Sequence, residues 1–166
     1  MKRLVADTGP LLHLHEAGAL HLVPLIGNVS VPRLVLEELR KHAPDLWPHQ
    51  LPTWVKQLPL TASSRRRAQS WVQAGLLHAG EAESLALAEA IHADWFLTDD
   101  AAARLLAKTL RIAAHGSLGV VLWSAGQSLI TKIEAENFLT ALAKSSLWMS
   151  ARVRADARLA LEKLFD

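Results

Sequence analysis

The chain has 166 residues, of which 51% are hydrophobic and 20% are charged, so it is long enough and apolar enough for one domain with a real core. No apolar run reaches the roughly 18 residues of a membrane-spanning helix, and the absence of cysteine excludes disulfides, zinc–thiolate sites and a cysteine nucleophile. The net charge of +2 is too small to indicate nucleic-acid binding by itself. Because no export signal precedes residue 7, the cytoplasm is the expected compartment.

Strand and helix patterns alternate along the chain. An apolar run over residues 3–6 predicts a first strand that ends at Asp7, and a helical pattern follows over 11–17. Strands separated by helices predict an α/β fold, a three-layer α/β/α sandwich with a mostly parallel central sheet. Further strands are predicted at 29–31, 58–60, 95–98 and 111–113, and further helices at 21–26, 32–41, 53–57, 62–74, 81–92, 101–109, 116–125 and twice in the last forty residues.

Acidic side chains stand where two of the predicted strands end. Asp7 follows the first strand, and Asp99 and Asp100 follow the strand that begins at Trp95. In open parallel sheets, ligands bind beyond the carboxyl ends of the strands. One aspartate in such a place is often only a helix N-cap, but two strands that end this way favour a shared site.

Two more acids stand out on predicted helices. Glu38 borders the apolar stripe of the helix over 32–41, whereas Glu37 is expected to face solvent. Glu81 begins the helix after Gly80, where the helix dipole also favours an acid. Clustered carboxylates suit hard cations such as Mg²⁺ or Mn²⁺, which can orient a water and stabilise the charge that develops on a phosphate.

Four segments of the chain resemble successive motifs of the PIN-domain family, in the family's order and at suitable spacing. The similarity is closest to the prokaryotic branch that resembles the VapC-type toxins, in which the helix over 116–122 also looks familiar. The resemblance runs from about residue 3 to residue 130. The four segments are 5–14, 31–39, 80–88 and 97–104.

The resemblance implies a PIN-like fold and the activity of a metal-dependent endoribonuclease, which hydrolyses RNA phosphodiester bonds with Mg²⁺ or Mn²⁺. In the toxin branch it also implies a toxin of a toxin–antitoxin pair, with an antitoxin protein as partner. We therefore expect a single PIN-like domain over 1–166, with a core of about 3–130 and C-terminal helices in 131–166.

Carried over to this chain, three acids of the family match Asp7, Glu38 and Glu81. The fourth acid matches Asp99 or Asp100. In the common Thr-Asn-Asp version of that motif the essential acid falls at Asp100, so Asp100 is favoured and Asp99 is interpreted as a helper. The expected metal ligands are Asp7, Glu81, Asp99 and Asp100.

Other matches concern support and substrate binding. Thr8 and Thr98 match small polar residues that support the site in the family. The cluster Arg65, Arg66 and Arg67, together with Arg104, is the candidate contact to RNA phosphates, although a solvated helix face explains the cluster equally well. The stretch after residue 120 lacks the basic residue that the resemblance leads one to expect there.

The same residues bear on alternative functions. A haloacid-dehalogenase-type phosphatase needs a second aspartate where this chain has Gly9. The eight histidines include no His-x-x-x-His pair, so they are interpreted as scattered surface or core residues. The serious alternative is a catalytically inactive PIN-like module that binds RNA or protein, and the presence of all four acids argues against it.

The C-terminal helices carry more apolar side chains than a small sheet can cover. Exposed apolar patches usually mark partner surfaces, so the sequence predicts a homodimer. The apolar residues concerned are Leu142, Leu147, Trp148, Met149, Leu159, Leu161, Leu164 and Phe165.

Overall fold

A computed structural model describes all residues from 1 to 166. Its five strands form one sheet in the order β3-β2-β1-β4-β5, and all neighbouring strands are parallel. The first strand is therefore the central one, and helices cover both faces, which confirms the predicted α/β/α sandwich. The strands are β1 Lys2–Ala6, β2 Gly27–Val31, β3 Val55–Gln57, β4 Trp95–Leu97 and β5 Ala114–His115.

Nine α-helices connect the strands and follow the last of them, and the two helices predicted at the C-terminus are present. None of the helices combines the length and the apolar character that a membrane crossing requires. The helices are α1 Thr8–Glu16, α2 Val23–Ile26, α3 Arg33–His42, α4 Ala62–Gln73, α5 Ala79–Ala90, α6 Ala101–Thr109, α7 Ser117–Gly126, α8 Lys132–Lys144 and α9 Ala151–Leu164.

The alternation of side chains along the strands divides the core between the two faces of the sheet. On β1, Leu4 and Ala6 pack into a cluster of 28 buried residues with α1, α2, α3 and α7 to α9. Val5 points to the opposite face and joins Phe96 in a cluster of 12 buried residues with α4, α5 and α6. The C-terminal helices therefore pack in the larger cluster together with the central strand.

Three predicted elements were wrong: one helix is absent and two strands lie elsewhere. Residues 53–57 do not form a helix. The third strand lies at Val55–Gln57 rather than at 58–60, because its partner β2 ends at Val31, and the N–H of Leu58 makes the last bond to that residue. The last strand lies at Ala114–His115 rather than at 111–113. Arg111 adopts a positive φ of 60° as the chain leaves α6, so this residue completes the helix end instead of beginning a strand.

Candidate active site

The acids selected from the sequence line one pocket of about 370 Å³ at the carboxyl edge of the sheet. Asp7 directly follows β1, and Asp99 and Asp100 follow β4, the strand that pairs with β1. Glu38 enters the pocket from α3, and Glu81 enters it from the first turn of α5. The structure therefore brings together side chains that are more than ninety residues apart in the chain.

Asp7 is the most deeply buried of these acids, with 5% of its surface exposed. Its Oδ1 accepts a hydrogen bond from the backbone N–H of Thr8 at 2.6 Å, and its Oδ2 accepts one from the Thr98 hydroxyl at 3.2 Å. Burial, reinforced by the carboxylates of Glu81 and Glu38, raises the pKa of Asp7 to about 7 despite these bonds. Without a cation, Asp7 is therefore only partly ionised at neutral pH.

Glu38 is held between α1 and α5. The hydroxyl of Thr8 donates to its Oε2, and the backbone of Gly80 lies directly against the carboxylate. A Cβ atom on Gly80 would come within 2.7 Å of Glu38 Oε1 and 2.9 Å of Oε2. A glycine at position 80 is therefore what allows α5 to approach the Glu38 carboxylate so closely.

Glu81 carries an unsatisfied polar atom. Its Oε2 is buried and has no hydrogen-bond partner, and burial together with the nearby Asp100 carboxylate raises the pKa of Glu81. Because Asp7 is in turn destabilised by Glu38 and Glu81, repulsion links these four carboxylates into one cluster. We call Glu38, Asp7, Glu81 and Asp100 the acidic cluster.

The two consecutive aspartates after β4 have different surroundings. Asp99 accepts hydrogen bonds from the backbone N–H and the hydroxyl of Ser117, each at 2.6 Å, and from His13 Nδ1 at 2.7 Å. Asp100 caps α6 through one bond from the N–H of Ala103 to its Oδ1 at 2.7 Å, which leaves Oδ2 free of hydrogen bonds within the chain. Asp100 thus has an oxygen available to a ligand, whereas both oxygens of Asp99 are engaged.

The donor set of the pocket fits a hard divalent cation. Carboxylate oxygens are the ligands that Mg²⁺ and Mn²⁺ prefer, and a buried, unpaired carboxylate oxygen such as Glu81 Oε2 is costly unless a positive charge or a donor meets it. No three acidic or histidine side chains form a complete metal-binding group by themselves. An ion held here would therefore have to complete its coordination shell with water, as Mg²⁺ commonly does.

The arginines selected from the sequence lie outside the acidic pocket. Arg65 lines a separate cavity of about 690 Å³ beside α3 and α4, and Arg66 is exposed on α4. Arg67 pairs with Glu89 and lies over the Trp71 ring. Arg104 lines a pocket next to the acidic one, so it is the one arginine of this set that is near the site.

Other residues of the pocket were missed in the sequence. His13, His78, Leu147 and Trp148 line it together with the acids. His78 lies two residues before Gly80, and His13 lies one and a half turns after Asp7 on α1, so the neighbouring motifs could have indicated both. Leu147 and Trp148 lie between α8 and α9, far from any motif, and no signal in the sequence places them here.

Comparison with known families gives one finding. A family model described as a PIN domain matches residues 3–163. The match includes every acid of the pocket and continues through α8 and almost all of α9, beyond the stretch of about 3–130 that carries the resemblance in the sequence. No match was found among curated proteins or among solved structures.

The raised pKa of Asp7 predicts how stability depends on pH in the absence of divalent cations. The folded chain keeps the Asp7 proton up to about pH 7, whereas the unfolded chain releases it near the ordinary value of 3.8, so the parent chain loses stability as the pH rises between these values. Near pH 4, Asp7→Asn should have the same free energy of unfolding as the parent chain. Near pH 8, its free energy of unfolding should be higher than that of the parent by up to about 4 kcal/mol. Urea unfolding in EDTA measures the difference.

The matched control is Asp156→Asn, which removes an exposed carboxylate from the outer face of α9. This variant should show no pH-dependent difference from the parent. A difference between Asp7→Asn and the parent that stays constant from about pH 4 to about pH 8 would contradict the buried, proton-holding state of Asp7.

Proposed function

The chain belongs to the PIN-domain family, and on that premise we propose that it is a metal-dependent endoribonuclease that hydrolyses RNA phosphodiester bonds with Mg²⁺ or Mn²⁺. Family membership supports a nuclease-type function. The observation that carries the proposal is the acidic cluster, in which the buried Oε2 of Glu81 lacks any partner in the chain. A protein without a cationic ligand has no reason to keep such an arrangement.

We assign the cation to Asp7, Glu81 and Asp100 together with water molecules, because these side chains do not form a complete metal-binding group by themselves. Asp7 lies deepest, at the end of the central strand, while Glu81 and Asp100 each have an oxygen that no protein donor contacts. A divalent cation bound there would supply positive charge to the phosphodiester oxygens and favour ionisation of the attacking water. The sequence also predicted Asp99 as a ligand, but its three hydrogen bonds favour a positioning role.

The remaining polar groups act on the water and on the acids. Glu38 lines the pocket, and only one of its oxygens is engaged, by Thr8, so we assign it the role of accepting a proton or a hydrogen bond from the attacking water. The Thr98 hydroxyl orients Asp7. Asp99 ties α7 and His13 to the end of β4 and so fixes the wall of the pocket.

Asp7→Asn should reduce RNA cleavage by at least about 100-fold and leave the fold intact. The substitution is nearly isosteric but removes the charge that holds the cation, whose stabilisation of the transition state is then lost. Cleavage of a fluorescent single-stranded RNA with Mg²⁺ or Mn²⁺ measures the effect, with circular dichroism as the test of folding and EDTA as the blank. Asp156→Asn is again the matched control.

Two results would contradict this assignment in different ways. Full activity of a folded Asp7→Asn variant would show that Asp7 serves only as the cap of α1. RNA binding by the parent chain without any cleavage in Mg²⁺ or Mn²⁺ would favour the alternative function, an inactive module that binds RNA.

Gly80→Ala should keep the fold and slow cleavage by roughly 10- to 100-fold, because misplacement of a catalytic group by about 1 Å costs about that much. The added methyl group would come within 2.7 Å of Glu38 Oε1 and displace the carboxylate. Alanine is favoured over glycine within helices by about 1 kcal/mol, so the melting temperature should not fall. Single-turnover cleavage and thermal unfolding measure the two effects.

Gly126→Ala is the matched control, because Gly126 also lies in a helix and its added methyl group would meet only the side chain of Leu164, at 3.5 Å. If Gly80→Ala cleaves RNA as fast as Gly126→Ala does, the role given to Glu38 is wrong.

Exposed apolar residues at the last helix allow a test of the predicted homodimer. Leu142 and Leu161 are buried in the core of the chain, but Leu159, Leu164 and Phe165 stay exposed on or just after α9. We expect a dimer at micromolar concentration in light scattering, and we expect Leu159→Lys to weaken it because a charge would replace a buried contact. A parent chain that stays monomeric at this concentration would contradict the proposal.

The toxin role and the antitoxin partner are further proposals, and they rest on the resemblance to the VapC-type branch alone. The cleavage assay above addresses the cation and the RNA, whereas an antitoxin must be sought by its inhibition of cleavage.

A further inference from the structure

Trp148 is exposed in a way that no other tryptophan of this chain is. The other five tryptophans are buried or partly buried, whereas Trp148 has 85% of its surface in contact with solvent. It is also one of the residues that line the acidic pocket. An exposed aromatic ring at the edge of a candidate active site is a feature that packing of the core does not explain.

The segment that carries Trp148 is fixed at both ends. Before it, the backbone N–H and the hydroxyl of Ser146 donate to the carboxylate of Glu16 at the end of α1. After it, the Ser150 side chain caps α9 by accepting from the N–H of Val153 at 3.1 Å. The side chain of Trp148 is therefore presented to solvent by an anchored turn.

A second pocket of about 370 Å³ adjoins the acidic pocket, and Asp99, Leu147 and Trp148 line both. Its walls are mostly apolar or glycine, from Leu118, Gly119 and Met149. Arg104 is the one cationic side chain in its lining, and its guanidinium is steadied by a bond to the Thr98 carbonyl at 3.3 Å. We call this second pocket the side pocket.

We propose that Trp148 and the side pocket bind an unpaired nucleobase of single-stranded RNA, next to the phosphodiester that enters the acidic pocket. The inference rests on the proposed function and adds a residue and a pocket that bind the substrate beside the acidic cluster. A nucleotide combines a flat aromatic base, which stacks on tryptophan, with a phosphate, which Arg104 can contact. A ligand that spans the two pockets needs both the aromatic base and the phosphate.

The same geometry argues against an RNA duplex. In a duplex the bases are stacked and paired inside the helix, so no base face is free to lie on Trp148. Stacking on an aromatic side chain accepts any base, since every base has a π-face. The site therefore selects single strands without reading their sequence.

Binding of a fluorescent single-stranded RNA tests the inference, with Asp7→Asn as the background so that the RNA stays intact. Trp148→Ala should raise the Kd by about tenfold or more, whereas Trp148→Phe should retain most of the affinity. Ile133→Ala is the matched control, because Ile133 is also an exposed apolar residue, at 69%, but lies on α8 outside both pockets. The loss caused by Trp148→Ala should disappear with an abasic strand of the same length.

Three results would overturn the inference. These are an equal Kd for Trp148→Ala and Ile133→Ala, an equal loss on the abasic strand, or a dimer that dissociates in Trp148→Ala while the Kd for RNA is unchanged. The last result would assign the surface to a second copy of the chain. Because the readout is binding, it is separate from the proposed function, which fails only if the parent chain shows no metal-dependent cleavage.

Discussion

The burial of Asp7 among the other carboxylates at the carboxyl edge of the sheet is the constraint on which the arrangement of the pocket depends. Asp7 lies at the end of the central strand and is nearly inaccessible to solvent, so it can neither move away from its neighbours nor be well hydrated. Its pKa of about 7 expresses this constraint. Protonation or a cation could relieve it, and Glu81 and Asp100, which line the same pocket, each keep an oxygen without a hydrogen-bond partner in the chain.

Helix N-termini offset part of the repulsion between these carboxylates. Asp7 caps α1, Asp100 caps α6, Glu81 lies in the first turn of α5, and Asp99 accepts from the first N–H of α7. Each of these helix starts carries unsatisfied N–H groups and a partial positive charge. The interpretation of these aspartates as N-caps and their interpretation as site residues therefore do not compete, because capping is what allows so much negative charge to collect at one edge before any cation arrives.

The convergence of Asp7 with Asp99 and Asp100 could be predicted from the sequence, because it depends on residues that lie next to them in the chain. The runs before Asp7 and Asp99 are apolar enough to be read as strands, and parallel strands that end in acids bring those acids to one edge. Only the resemblance favoured Asp100 over Asp99, because the hydrogen bonds that distinguish Asp99 come from Ser117 and His13, which belong to distant segments. The positions of β3 and β5 were wrong for a related reason. They are short edge strands, and hydrogen bonds to their neighbours define them better than any pattern of apolar residues does.

The distribution of charge also limits how a polyanion can bind. The arginine cluster at residues 65–67 lies outside the acidic pocket, and Arg104 is the one arginine that lines the adjoining side pocket. A phosphate that approaches four carboxylates is repelled until cations are bound, and few basic side chains near the pocket compensate. Under the proposed function, affinity near the acidic pocket must then come from bound cations and from contacts that do not depend on charge. Trp148, which is 85% exposed and lines the pocket, offers an apolar surface for such a contact.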